Sequence, residues 1–475
     1  MLFWILLITH IIFAFSTSIV IILYGVRPTR SFSWLLLVIF FPFVGVIFYL
    51  LLGINRRKFK FFKLKETSKR ELYNKTHENS QKIHSGVNFE SINKQRLANL
   101  IEKTTHFAVV PNNKVDVLDE PAMVYQKIFK DLRAAKHYIH LQYYILEKGD
   151  ILNELFEILK LKLKEGLEVR LIYDALGSYS LKNTLLKDLE NEGAKVFPVM
   201  PLKYGSFLFN MNYRNHRKSI IIDGQIGFAG GMNISDKYIK EIDNLGIWKD
   251  MHLRMEGLII NNLHRVFIKD YYFASDEKLL IKNTYLPQQP KAGNTNIQLV
   301  ASGPDSNHLS VLQQYLMLIN VAQKSVCITN PYFIPNQALL ESIKMASLSG
   351  VTVRILVPEK TDSKMATYSM FSFFEELILA GVEIYLLTSE FTHSKVIIVD
   401  QEVASIGSGN FDHRSFEHNF ETNVLIYEKT IAEKLHNSFT DDCKKSNKIN
   451  LETFKKRGLK QKLLEGSARF FSPLL

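Results

Sequence analysis

Apolar positions follow three regimes along this chain. Residues 2–24 and 34–52 are apolar almost without interruption. Each run approaches the roughly 20 residues that a helix needs to cross a bilayer. The first has no basic leader and no obvious small-residue cleavage site, so a retained anchor is expected rather than a secretory signal. Pro42 is expected to kink the second run, which membrane helices tolerate. Residues 56–105 are polar and lysine-rich with little strand pattern, and read as a partly helical juxtamembrane linker. Phe59, Phe61, Phe62 and Leu64 interleave with lysines there, which suits either a membrane-surface contact or a plain stop-transfer flank.

From about residue 106 onward, short β-branched runs alternate with helical stretches, and they do so twice. Residues 134–146, 166–174 and 193–199 supply strands in the first half, and 322–335, 350–358 and 381–387 repeat them in the second. Helical segments at 151–166 and 336–350 lie between. This alternation predicts an α/β sandwich with a mostly parallel sheet in each half. Proline, glycine and asparagine at 285–296 mark the boundary. The plan is therefore a transmembrane hairpin at 1–55, a linker at 56–105, one half at 106–288 and another at 289–475.

Charge adds a location. The net charge of +12 predicts attraction to polyanions, with nucleic acid and anionic lipid as the candidates. Arg56, Arg57, Lys58, Lys60, Lys63 and Lys65 follow the second apolar run, whereas only Arg27 and Arg30 lie between the two. That asymmetry puts the large C-terminal part in the cytoplasm, with the N-terminus on the same side. One span plus a buried or re-entrant segment is the alternative. A site held at a membrane meets lipid, not nucleic acid. Cys327 and Cys443 are the only cysteines, too few for a disulfide framework or a cysteine-rich zinc site.

The chemistry lies in a repeated segment. His216, Lys218, Asp223, Gly230 and Asn233 recur as His393, Lys395, Asp400, Gly407 and Asn410, each displaced by 177 positions. HRKSIIID and HSKVIIVD are strand-like, and residues i and i+2 of a strand share a face. His216 therefore points with Lys218, and His393 with Lys395. Asp223 and Asp400 lie seven residues on and face away, which favours fixing a turn or a neighbouring backbone. Two-residue turns at Gly224-Gln225 and Gln401-Glu402 would set Asn233 opposite His216 and Asn410 opposite His393. Gly231 and Ser408 would then lie opposite the lysines.

Two such hairpins face to face gather two histidines, two lysines and two asparagines. The donors suit a phosphodiester, whose non-bridging oxygens they would stabilise. One histidine can attack phosphorus while the other protonates the leaving oxygen, and the sequence leaves open which does which. Each histidine needs an orienting acid. Asp250, 34 residues after His216, and Glu421, 28 after His393, are the candidates, with ordinary salt bridges as the alternative. No metal is expected, since no HExxH, EF-hand loop or P-loop is present. The isolated His10, His252, His413 and His418 are read as ordinary histidines.

Through this doubled HxK(x)4D(x)6G(G/S)xN motif the chain resembles the phospholipase D superfamily. Its N-terminal apolar pair, NPYFIP at 330–335, GSGNFDHRSF at 407–416, NFE at 419–421 and ARFFSPLL at 468–475 are similar to the bacterial cardiolipin synthases. The resemblance implies two similar α/β sandwich halves sharing one site, no cofactor, and a phosphohistidine intermediate. It implies a catalytic set of His216, Lys218, Asp223, His393, Lys395 and Asp400, supported by Asn233, Asn410 and Ser408. It also implies an integral, multi-pass enzyme of the cytoplasmic membrane. One phosphatidylglycerol would donate its phosphatidyl group to another, giving cardiolipin and glycerol. A hydrolase of membrane phospholipids shares the motif and is the alternative. The anchor argues against a nuclease, and two intact motifs argue against a non-catalytic lipid binder. The aromatic insertion at 204–213 suits either acyl-chain contact or core packing, and 369–381 reads as a core helix.

Overall fold

The computed structural model describes residues 1–24, 28–41, 43–53, 87–181, 183–201, 212–241, 245–275, 277 and 284–474. The first half contributes β1 (Val110–Leu118), β2 (Tyr138–Tyr143), β3 (Glu168–Asp174), β4 (Lys195–Val199), β5 (Ser219–Ile222), β6 (Ile226–Gly230), β7 (Trp248–Lys249) and β8 (His252–Glu256). The second contributes β9 (Thr295–Ser302), β10 (Ser325–Thr329), β11 (Thr352–Pro358), β12 (Glu383–Leu387), β13 (Phe391–Thr392), β14 (Val396–Val399), β15 (Val403–Gly407), β16 (Glu421–Ile426) and β17 (Asn447–Lys448).

Fifteen of these strands form one sheet, ordered β17-β12-β11-β10-β14-β15-β16-β9-β1-β8-β6-β5-β2-β3-β4. Read outward from the antiparallel β9–β1 junction, the two halves repeat the same order. The sheet is not mostly parallel, however. In each half only the three strands that helices connect run parallel, β2-β3-β4 and β10-β11-β12. The remaining pairs, from β2 through β5, β6 and β8 to β1 and from β10 through β14, β15 and β16 to β9, are antiparallel. A tight hairpin can join only antiparallel strands, and the repeated motif is such a hairpin.

The apolar runs of these strands are buried on both faces, as a helix-covered sheet requires. Ile220 and Ile222 of β5 pack in a first-half core with the helices Pro121–Arg133 and Asp150–Lys164, while Ile221 enters a core on the opposite face. That opposite core crosses both halves. It joins Leu253, Ile297, Leu299 and Val424 to the helices Ile259–Ser275 and Lys429–Lys444.

The end of the expected linker belongs to this body. Ile92–Thr105 is a helix capped by Ser91, and its Leu97, Ala98 and Ile101 are buried in the second-half core. The buried Gln298 amide donates to the carbonyls of Ala98 and Phe107, both at 2.9 Å. Few apolar positions mark this helix, so its polar face dominated the sequence pattern. Residues 54–86, with the phenylalanine–lysine stretch, and residues 202–211, which include 204–211 of the aromatic insertion, lie outside the described residues.

At the N-terminus, Leu2–Tyr24 is one helix, and its Phe3–Leu23 portion is long and apolar enough to cross a membrane. The second apolar run is divided into helices Pro28–Phe40 and Val44–Phe48 and a π-turn at Tyr49–Gly53, with Phe43 at φ 57°. A 13-residue helix rises only about 20 Å, short of the roughly 30 Å hydrocarbon layer. Pro42 lies outside the described residues. Ile21 of the first helix packs with Val38, Val46 and Tyr49 of the second run.

Candidate active site

The two motif hairpins are β5–β6 and β14–β15. Ile222 pairs with Ile226 and Val399 with Val403, so three residues rather than two connect the strands. The register is one residue away from the expected one, and neither asparagine pairs with its histidine. Asp223 and Gly224 stand at φ 53° and 67°, and Asp400 and Gln401 at 53° and 58°. The Asp223 carboxylate accepts hydrogen bonds from the backbone N–H of Lys136, His137 and Tyr138 at 2.8, 2.8 and 2.9 Å. Asp400 does the same for Gln323, Lys324 and Ser325 at 2.9, 2.7 and 2.9 Å. Both aspartates thus anchor the start of the adjacent strand, β2 or β10. These contacts match the turn-fixing and backbone-fixing role that the odd spacing from the histidines favours.

The histidines meet because short segments cross between halves. β13 pairs in parallel with β7, and the His393 N–H donates to the Lys249 carbonyl at 2.7 Å. This sets His393 beside the residue after Lys249, which is Asp250. In the mirror arrangement, the His216 N–H donates to the Phe420 carbonyl at 3.0 Å, and Phe420 precedes Glu421. Each histidine is therefore oriented by the other half's acid. His216 Nδ1 lies 3.0 Å from Glu421, and His393 Nδ1 lies 2.7 Å from Asp250. Reading each acid with the histidine that precedes it in its own half gives the wrong partner. With an acceptor at Nδ1, the proton sits there and Nε2 keeps its lone pair for chemistry.

All these groups are buried, and they feel one another. Burial lowers His216, while Glu421 opposes the shift. Burial pushes His393 well down, and Lys395, Lys218 and His216 add to it. Burial thus favours the neutral form of each ring, which leaves Nε2 of an attacking histidine free, while the orienting carboxylate is the group that would steady the other ring when it carries a proton for a leaving oxygen. Burial also pushes the Asp250 carboxyl up to about 6, against the pull of Lys395. For Glu421, burial raises the carboxyl, but His216, Lys218 and Ser408 together hold it below its usual value. Burial brings Lys395 down to about 8 and Lys218 well below its usual value. Each lysine donates to the carbonyl of the histidine two residues before it, Lys218 at 2.7 Å. Two ammonium protons per lysine remain for an anion.

The supporting residues divide unevenly. Ser408 Oγ donates to Glu421 at 2.5 Å, and its carbonyl lies 3.1 Å from His216 Nδ1, so Ser408 holds the orienting acid. At the equivalent place, Gly231 has no side chain, and a Cβ there would coincide with the Asp250 carboxylate. A long acid with serine in one half matches a short acid with glycine in the other. Asn233 Oδ1 accepts from the Ile145 N–H at 3.2 Å, which ties it to backbone, whereas the buried Asn410 Oδ1 has no partner.

Sequence reading missed several contributors. Tyr238 places its hydroxyl 3.3 Å from His393 Nδ1, and Trp248 lies against the same ring at 5.2 Å. Tyr144 stands edge-on to His216 at 4.7 Å. Arg217 pairs with Asp270 at 2.5 Å and donates across the junction to the carbonyls of Ser302 and Glu421 at 2.9 and 3.2 Å. Arg214 pairs with the fully buried Asp174 at 3.0 Å. Only the adjacent Arg-x-x-Arg spacing around His216 hinted at these cations. Among the described residues no group of three or more His, Cys, Asp or Glu side chains could hold a metal ion.

The chain is similar to known proteins along nearly its whole length. A family model described as the phospholipase D-like domain of cardiolipin synthase matches residues 128–271 and 315–443. A second, described as a phospholipase D-nuclease N-terminal region, matches 2–53. A cardiolipin synthase of Halalkalibacterium halodurans is 38% identical over 462 residues, covering 96% of this chain and 91% of the relative. A probable cardiolipin synthase of Bacillus subtilis is 37% identical over 446 residues, covering 94% and 89%. The crystal structure of a phosphatidylserine synthase from Haemophilus influenzae shares the fold, with a TM-score of 0.60 at 16% identity over 81% of this chain and all of that one. With two model matches in the repeated halves and relatives matched along nearly its whole length, the chain belongs to the cardiolipin synthase family of phospholipase D-like proteins.

Proposed function

We propose that this chain is a phosphatidyltransferase that makes cardiolipin from two molecules of phosphatidylglycerol. The observation that carries the reading is the crossed pair of histidine–carboxylate contacts, His216–Glu421 and His393–Asp250, with Lys218 and Lys395 beside them. Nε2 of one histidine attacks the phosphorus of phosphatidylglycerol. The bond to the head-group glycerol oxygen breaks, and the second histidine, which enters this step as the imidazolium with its Nδ1–H held by its carboxylate, gives its Nε2 proton to the departing glycerol oxygen. A glycerol hydroxyl of a second phosphatidylglycerol then gives its proton back to that histidine and attacks the phosphohistidine. Cardiolipin forms and the first histidine is freed. The lysines offset the charge on the non-bridging oxygens. No cofactor and no nucleic acid enter this scheme.

The chain's family and its apolar N-terminal helix mark a membrane protein. The finer topology belongs to this proposal: both apolar runs enter the cytoplasmic membrane as a hairpin, and the catalytic body lies on the cytoplasmic side. The basic stretch after the second run supports it.

The test is mass spectrometry of lipids after the purified chain is incubated with phosphatidylglycerol. Cardiolipin with an equal amount of free glycerol, absent for His216→Ala and His393→Ala, is the expected result. Phosphatidic acid as the main product would replace the transferase with a hydrolase.

A further inference from the structure

The last helix of the chain, Leu459–Phe470, is turned inside out for a water-soluble surface. Leu459, Leu463 and Phe470 recur at i, i+4 and i+11, which is a single stripe on a helix. They are 75%, 61% and 86% exposed. Phe471 and Leu464 flank them, also exposed. The polar contacts face inward instead. Glu465 is buried and accepts from Arg457 and Gln461 at 3.2 and 3.0 Å. Arg469 pairs with Glu376 at 2.7 Å and lies over the Phe373 ring at 4.4 Å. A helix that packs on a protein core and faces water shows the reverse pattern.

The charge around the stripe has one sign. Lys455, Lys456, Lys460 and Lys462 are exposed, and the only acid between residues 455 and 471 is the buried Glu465. Beyond the helix, the turn Ser472–Leu474 packs against the short helix His413–Glu417. That helix is capped by Asp412, whose carboxylate accepts from the Ser415 N–H at 2.7 Å and acts on Lys395 electrostatically. The helix that carries the stripe is therefore joined, through one turn, to a segment whose capping carboxylate acts on Lys395.

We infer that the Leu459–Phe470 face is an interfacial membrane-docking surface, which inserts Leu459, Leu463 and Phe470 among the lipids of an anionic bilayer and holds the mouth of the site against it. An apolar stripe with a lysine collar matches such a surface in both its parts. A second copy of the chain is a poorer occupant, because a self-complementary contact would set the four lysines against their own counterparts. The surface goes beyond the transfer reaction and does not depend on it. It gives the body a second attachment besides the N-terminal helix.

The test uses the full chain in vesicles of phosphatidylglycerol and phosphatidylcholine. Leu463→Cys carries a nitroxide, while the native Cys327 and Cys443 are buried. The expected label is accessible to oxygen and shielded from an aqueous relaxation agent in vesicles, and loses that shielding at an exposed control position such as Glu154→Cys. Equal aqueous access at both positions would overturn the inference, and so would label–label broadening, which would assign the face to a second copy. As a second arm, the triple variant L459S/L463S/F470S should turn over long-chain phosphatidylglycerol in vesicles at least about tenfold more slowly. It should turn over a short-chain, monomerically dispersed analogue at the native rate. Equal losses on both substrates would sink the docking role. A native chain that converts neither substrate would refute the transfer reaction and leave the label result to decide the docking surface.

Discussion

Asp250→Asn removes the carboxylate that the folded site holds at the greatest disadvantage. Asp250 is fully buried, and its pKa stands at about 6 against a usual 3.8, chiefly because burial disfavours the charge. About two pKa units at about 1.4 kcal/mol each amount to about 3 kcal/mol. The sign follows from proton counts. Between about pH 4 and 6 the native state binds more protons than the unfolded chain, so stability falls as pH rises through that window. About half of the cost is present at pH 5 and all of it at pH 8. Asparagine carries no such cost. The variant should therefore gain on the native chain, by roughly 1–2 kcal/mol, between pH 5 and pH 8. Chemical unfolding of the detergent-solubilised protein at the two pH values measures it. Turnover should move the other way, falling about 10²–10⁴-fold, because an amide can hold the wrong tautomer of His393. A stability gap that stays constant between pH 5 and 8 would refute the reasoning.

Gly231→Ala should be far more damaging than Ser408→Ala: the added Cβ must displace the Asp250 carboxylate, whereas the lost serine hydroxyl costs Glu421 one hydrogen bond, about 1–3 kcal/mol or roughly 10–100-fold in turnover. Steady-state kinetics on both variants decides it, and equal losses would contradict the geometry. Asp223→Ala and Asp400→Ala should each lower the unfolding temperature, since three backbone N–H groups lose their acceptor, while correctly folded enzyme keeps most of its turnover. Arg217→Met should cost about 3–5 kcal/mol of stability by leaving the buried Asp270 carboxylate without its cation, with only the Gln142 and Asn215 amides donating to it, and the double variant Arg217→Met/Asp270→Leu should recover much of it in unfolding measurements.

Much of the site was legible because its chemistry is written twice. The shared offset of 177 positions marked both histidines and both lysines as candidates, and strand parity set Asp223 and Asp400 on the opposite face from them. The acids were legible as candidates but not as partners. Asp250 and Glu421 occupy equivalent places in the fold, yet lie 34 and 28 residues after their own motifs, so no single offset relates all the residues. The turn was misjudged by one residue because Asp and Gln take left-handed backbone conformations at Asp400 and Gln401, which composition does not announce. The roles of Arg214 and Tyr238 could not be read locally, since they depend on groups 40 and 155 residues away.

By itself the sequence determined the local terms: which segments are apolar enough for a bilayer, which strands are buried on both faces, and which side chains share a strand face. These follow from periodicity and composition, which short-range geometry controls. Only the tertiary structure decided that His216 answers to Glu421 and His393 to Asp250, because strand-like segments from the two halves pair across the junction. It also decided that the last helix turns its leucines outward. A helical stripe can be read from sequence, but whether it meets a core or solvent depends on which opposite face finds partners, here Glu376, Phe373 and Arg457.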